Sequence, residues 1–176
     1  MNPQPPEPVK LFTGLLYAQD SILDEVFRGL ESRFSRIDYK SPRYEFSMTD
    51  YYDAEMGLPI YRRFVSFADL VDPGQLAQIK IVTNEIEAVL TKEDKRQVNL
   101  DPGYMDYNKV VLASAKYNGQ KIYLANGIYA DPTLWYEKGN YKPYKHSFPD
   151  FKLNLYDATF LHIRSLYKKQ SPRKKK

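Results

Sequence analysis

The chain has 176 residues, 43% of them hydrophobic, which suits one domain with a real core and excludes a wholly disordered chain. It has no cysteine, so disulfide scaffolds, zinc ribbons, iron–sulfur clusters and thiol nucleophiles are excluded, and no zinc, haem or iron–sulfur cofactor is expected. The formal charge is +4, but six of the 26 basic residues fall in the last nine positions; without them 20 basic residues face 22 acidic ones, and the body is slightly acidic.

Residues 1–8 hold four prolines and no apolar periodicity, which predicts an extended arm. They lack the basic start and apolar stretch of a signal peptide, and no run of about 18 apolar residues follows. The chain is therefore expected to be cytoplasmic and to have no membrane partner. A strand is predicted at about Lys10–Tyr17. Asp20 and Ser21 then offer caps for an amphipathic helix with Ile22, Leu23, Val26, Phe27, Leu30 and Phe34 inward. Alternation predicts a strand over Arg43–Asp50, a polar loop over Tyr51–Pro59 and a partner strand over Ile60–Phe67. The second helix has the clearest start, with Asp72 as cap, Pro73 at the first helical position and Gln75 at capping-box spacing. Its buried stripe reads Leu76, Ile79, Val82, Ile86, Val89 and Leu90. A strand over Gln97–Leu100 completes the order β-α-β-β-α-β.

After that strand, Asp101-Pro102-Gly103 has the chemistry of a tight type II turn. Asn118-Gly119 predicts a two-residue hairpin joining Lys109–Tyr117 to Gln120–Tyr129, and a second hairpin is predicted around Gly139-Asn140. A last helix is predicted from about Leu155 to Lys168, with Asn154 as cap and Tyr156, Phe160, Ile163 and Tyr167 inward. The predicted fold is α+β: a ferredoxin-like β-α-β-β-α-β half, then an antiparallel, hairpin-rich half and a C-terminal helix. Residues 9–168 are expected to form the single domain, and 169–176 a basic, disordered tail.

The candidate site residues lie beside strand ends and turns. Asn99, Asp101 and Tyr104 flank the predicted turn, and the bland reading is that they only shape it. Lys109, Lys116 and Lys121 stand on or next to the predicted hairpin; if they converge on Asp101 they can hold a phosphate or carboxylate. Arg62 and Arg63 point to opposite faces of their strand, so one turns inward and needs a partner such as Glu45, Glu55 or Glu85. Asp50, Asp53 and Glu55 are Mg²⁺ candidates, although their spacing fits no calcium loop and also suits a solvated acidic loop. Glu55 and Asp101 are the candidate bases. Thr91-Lys92-Glu93-Asp94 matches a guanine-reading pattern, but no Gly-x-x-x-x-Gly-Lys-Ser/Thr loop exists, which excludes a P-loop GTPase. His146 and His162, the two histidines, lack the hydroxyl residues of a two-histidine phosphoesterase.

Several strings together carry a resemblance. Pro8–Tyr17, Thr49-Asp50-Tyr51-Tyr52, Glu55-Met56-Gly57, Tyr61-Arg62-Arg63-Phe64, Thr83-Asn84-Glu85, Asn99–Tyr104 and Ile122-Tyr123-Leu124 with Gly127-Ile128-Tyr129 resemble domain of unknown function family 4416. The resemblance covers nearly the whole chain. It implies a prokaryotic family without an established activity, some members of which carry the label GTP-binding protein. Relatives often have His-Arg where this chain has Gln120-Lys121, so no proton transfer is expected at position 120.

Two functions fit these residues. One is a domain that binds, or acts on, a phosphorylated small molecule or nucleotide through Glu55, Arg62, Asp101, Tyr104, Lys109 and Lys121, at least four of which should then meet in one pocket. The other is a non-enzymatic interaction module, with RNA as a candidate partner, in which some of the 16 tyrosines stack bases and the basic tail meets phosphates.

Overall fold

A computed structural model describes residues 2–48 and 51–171, without the side chains of residues 53 and 54. Nine strands form one antiparallel sheet: β1 (Val9–Tyr17), β2 (Ile37–Lys40), β3 (Tyr44–Glu45), β4 (Tyr61–Val71), β5 (Val98–Met105), β6 (Lys109–Ser114), β7 (Ile122–Ala125), β8 (Ile128–Glu137) and β9 (Asn140–Pro143). Five helices accompany them: α1 (Leu23–Arg33), α2 (Asp53–Met56), α3 (Leu76–Val89), α4 (Pro149–Lys152) and α5 (Asp157–Gln170).

The order β2-β4-β1-β5 is that of a ferredoxin-like unit, and β6-β8-β7 continue the sheet beyond it. Apolar residues on both faces make β1 a central strand, buried at all nine positions. One face packs Leu11, Leu15, Phe67 and Leu100 against Val26, Phe27 and Leu30 of α1 and Ile79 and Ile86 of α3. The opposite face packs Phe12, Phe64, Met105 and Leu112 against Phe151, Phe160 and Ile163. The α+β class follows directly, and Asp72 does cap the turn leading into α3, accepting from the Gly74 amide at 2.7 Å.

Several local expectations are corrected. The strand expected over 43–50 is broken: β2 ends before Ser41-Pro42, where proline has no amide to give, and β3 is only two residues long. The expected polar loop contains the short helix α2. Val89 of the expected buried stripe is exposed. Asp101-Pro102-Gly103 is not a turn but the middle of β5, where Pro102 pairs with Thr13 and Gly103 with Phe12.

Asn118-Gly119 is not the hairpin either. β8 lies between β6 and β7, and the tight hairpin is at Asn126-Gly127, both with positive φ (54° and 74°). The second hairpin turns at Lys138-Gly139, next to the expected position. Asn154 does not cap the last helix, which starts after Tyr156 and runs on to Gln170, two residues past the expected end. Gln170 is exposed but hydrogen-bonded: its side chain accepts from Lys10 Nζ at 2.7 Å and donates to the Ala68 carbonyl. The remaining tail, 172–176, lies outside the described residues.

Candidate functional site

The sheet opens between β5 and β6. The two strands pair only over Gly103–Met105 and Val110–Leu112, whereas β5 stays with β1 down to Val98 and β6 stays with β8 up to Ser114. Beyond Gly103 the β6 side of β5 therefore has no strand beside it. Helix α3 supplies the missing partners: Glu87 Oε1 accepts the Leu100 amide at 2.7 Å, and Lys80 Nζ donates to the Leu100 carbonyl at 2.6 Å. Pro102 has the same strand parity as Leu100, so its missing N–H faces this open side, where no ladder bond is lost. Gly103 marks the point where the strands still touch. A Cβ there would stand 2.6 Å from the Val111 carbonyl oxygen and 2.7 Å from Phe12 Cζ.

The opening is a cleft of about 730 Å³, a size ordinary for small-molecule sites. Arg62, from β4, reaches its floor and is only 6% exposed. It gets there across β1 because Gly14, opposite Asp101 and Phe64, has no side chain in the way. Its guanidinium lies 4.8 Å from the Phe46 ring centroid and 5.8 Å from that of Phe151. Two carboxylates flank it at long range, Asp150 Oδ2 at 3.3 Å and Asp101 Oδ2 at 4.0 Å. Asp150, 2% exposed, also accepts the Tyr156 hydroxyl at 3.0 Å. The expected partners Glu45, Glu55 and Glu85 are thus replaced by aspartates distant in sequence.

Glu55 sits at the rim, holding Arg96 through two hydrogen bonds of 2.7 Å. Those bonds keep the Glu55 carboxyl below its ordinary range. Arg96 also approaches Glu87 Oε2 at 3.6 Å and Asn99 Oδ1 at 3.3 Å. Burial pushes Glu87 up against the attraction of Lys80. Tyr52, lining the same cleft, is pushed up to about 12, first by burial and then by Asp101. On the opposite wall Lys116 places its Nζ 4.3 Å from the Tyr51 ring centroid, and Lys121 donates to Ser114 Oγ at 2.8 Å.

Three buried polar atoms in this cleft have no hydrogen-bond partner among the described residues: Arg62 Nε, Asn99 Nδ2 and Asp131 Oδ1. Buried groups of this kind are rare, and a cavity that collects them points to an occupant.

Of the residues singled out from sequence, Arg62, Asn99, Asp101, Lys116 and Lys121 line the cleft, and Glu55 contributes through Arg96. Tyr104 does not; it packs with Leu76 and Val111 on the helix α3 face. Lys109 pairs with Asp106 away from the cleft, and it opposes Trp135 of β8 rather than Lys121. Arg63, of opposite parity to Arg62, lies on the other face near Tyr17. Asp50 and the Asp53 side chain are outside the described residues, and no metal-ligating cluster of three acids or histidines occurs among those described. Thr91-Lys92-Glu93-Asp94 forms a tight turn, with φ of 49° and 58° at Glu93 and Asp94, and does not line the cleft.

Lys80, Glu87, Arg96, Asp131 and Asp150 were not foreseen. Lys80, Thr83 and Glu87 follow Leu76 at helical spacing on a buried face, a polar stripe that was legible in principle. The tyrosines mostly serve the core, with Tyr17, Tyr141, Tyr156 and Tyr167 buried, while Tyr117, Tyr123 and Tyr129 cluster at the β7 end with ring centroids 5.4–5.6 Å apart.

No helix among the described residues is long and apolar enough to cross a membrane. A family model described as a domain of unknown function (DUF4416) matches residues 7–167. No curated protein and no solved structure matches the chain.

Proposed function

Because the chain belongs to this family of domains of unknown function (DUF4416), we propose its role from the cleft itself: it binds a phosphorylated small molecule there. The observation that carries the reading is Arg62. A guanidinium buried on a cavity floor normally takes close, paired hydrogen bonds from a carboxylate. This one has carboxylates only at 3.3 and 4.0 Å, and its Nε has no hydrogen-bond partner among the described residues. Asn99 Nδ2 is a second donor without a partner, and Lys116 has no ion pair among the described residues. Together they offer a phosphate a charge-assisted site in which Arg62 is ion-paired with Asp150 at 3.3 Å but Arg62 Nε and Asn99 Nδ2 donate no hydrogen bond among the described residues.

The rest of the cleft is amphipathic. Phe46, Tyr52 and Phe148 supply ring surface, and Asp101 supplies an acceptor or a base if the ligand is also turned over. Phosphate-bound Mg²⁺ is compatible with Asp101, which remains partly exposed. The test is a melting-temperature screen against sugar phosphates and nucleotides, with and without Mg²⁺. A ligand at a hundred times its Kd adds about 2.7 kcal/mol, which raises the melting temperature by roughly 5–10 °C. Asn99→Ala and Lys116→Gln should reduce that rise. A rise unchanged in both variants would remove the cleft from the account.

A second reading draws on the exposed rings of Tyr117 and Tyr123, which pack on the half-buried Tyr129 and could stack RNA bases. Filter binding at low and high salt separates the two: salt-dependent RNA binding lost in Tyr123→Ala would favour it.

A further inference from the structure

Asp131 is a buried carboxylate that the phosphate reading does not use. It stands on β8 opposite Leu112 of β6, 4% exposed, on the wall of the cleft. Its two oxygens differ. Oδ2 has Lys121 Nζ at 3.5 Å, and that ammonium is held in place by bonds to Ser114 Oγ and to the Lys116 carbonyl at 3.1 Å. Oδ1 accepts no hydrogen bond among the described residues. His146 Nε2 stands 3.8 Å from Oδ1 and gives its hydrogen to the Pro132 carbonyl at 2.8 Å instead.

An ionised carboxylate is an acceptor only, and a buried acceptor left without a donor is costly. The residues lining the cleft therefore carry two kinds of buried, unfilled group. Asn99 Nδ2 and Arg62 Nε can only donate, and Asp131 Oδ1 can only accept. A fully ionised phosphate ester without hydroxyl groups, such as methyl phosphate, satisfies the donors and offers Asp131 none. A phosphate ester whose organic part carries hydroxyl groups satisfies both.

We propose that Asp131 is a specificity-determining residue that accepts a hydrogen bond from a ligand hydroxyl, so that the cleft selects polyhydroxylated phosphate esters of the sugar phosphate class. The inference rests on the phosphate reading above and narrows it. Lys121 then has a positioning role: it anchors Oδ2 and leaves Oδ1 for the ligand. A wall acceptor of this kind discriminates strongly, because a ligand without the hydroxyl leaves the buried Oδ1 without a donor.

The experiment is calorimetric titration of the full chain with methyl phosphate, glycerol 3-phosphate, ribose 5-phosphate and glucose 6-phosphate. For the wild type, the best hydroxylated ester should bind at least about tenfold more tightly than methyl phosphate, the ordinary worth of a charged hydrogen bond. Asp131→Asn should lower the affinity for that ester by about tenfold and leave methyl phosphate unchanged. Melting of the unliganded variant checks that it folds, and the wild-type comparison needs no variant. Equal affinities for methyl phosphate and all three esters would overturn the role of Asp131 while leaving the phosphate site standing, and so would a parallel loss in the variant. Binding of none of the four would overturn both readings.

Discussion

Glu87 accepts the amide hydrogen of Leu100 at 2.7 Å, so a helix side chain does for β5 what a neighbouring strand would otherwise do. With Lys80 on the Leu100 carbonyl, both backbone groups of Leu100 are satisfied where the nine-stranded sheet opens in its interior. The cleft exists because α3 caps the strand beside it.

Glu87→Ala would leave the Leu100 amide unpaired and Lys80 without its carboxylate at 3.7 Å. The expected loss is about 3 kcal/mol, a fall of roughly 10 °C in melting temperature for a chain of this size. Glu87→Gln keeps an acceptor for the amide and should lose less than half as much. Thermal unfolding of both variants checks the order.

Glu87 and Glu55 should respond to acid in opposite directions. Burial raises Glu87, so its folded form favours the protonated carboxyl: the stability it contributes is present below its ordinary value and lost as pH rises through the raised one. Arg96 lowers Glu55, whose contribution is present above its ordinary value and lost as pH falls through the lowered one. Melting curves from about pH 3 to 6 should therefore fall less below the ordinary glutamate value in Glu55→Gln, and rise more steeply with pH above that value in Glu87→Gln. The same change in both variants would contradict the assignment.

Gly103 and Gly119 make a controlled pair. A methyl group at Gly103 would meet backbone and ring atoms at 2.6 and 2.7 Å, whereas at Gly119 it meets nothing within 4 Å. Gly103→Ala should cost about 3 kcal/mol or more by overpacking, and Gly119→Ala should stay within about 0.5 kcal/mol. Denaturant unfolding measures both. Near-neutral behaviour at Gly103 would restore the exposed turn that the sequence suggests.

These positions also show what sequence could carry. The first half was legible because its signals are local: the stripe of α1, the Asp72 cap and the apolar run of β1 each name their element. Asp101-Pro102-Gly103 misleads because its turn chemistry is overridden by a distant fact, the departure of β6, which gives proline a place in an interior strand. Two Asn-Gly pairs stand eight residues apart, and only the insertion of β8 beside β6 decides which one turns. The site divides in the same way. Arg62 and Asp101 were findable, but Asp150, whose carboxylate reaches Arg62 from a four-residue helix far along the chain, had no local mark.

Arg62 and Asp150 form a buried pair, with side chains 7% and 3% exposed. Arg62→Leu leaves Asp150 uncompensated and should cost about 3–5 kcal/mol, while Arg62→Leu with Asp150→Leu should recover much of it. Both variants should lose ligand binding. Urea unfolding of the two single variants and the double variant gives the coupling; strict additivity would show that the pair does not interact.

The central claim, that the split between β5 and β6 holds a phosphate ester on Arg62 and Asn99, is tested most directly by nuclear magnetic resonance on ¹⁵N-labelled protein titrated with sugar phosphates. The Asn99 side-chain amide and the Arg62 Nε–H should shift together and saturate at one concentration, with the Lys116 and Leu100 backbone amides following. Saturable shifts confined to the Tyr117–Tyr129 end, or no saturable shift at Asn99 and Arg62 with any ester that stabilises the protein, would contradict it.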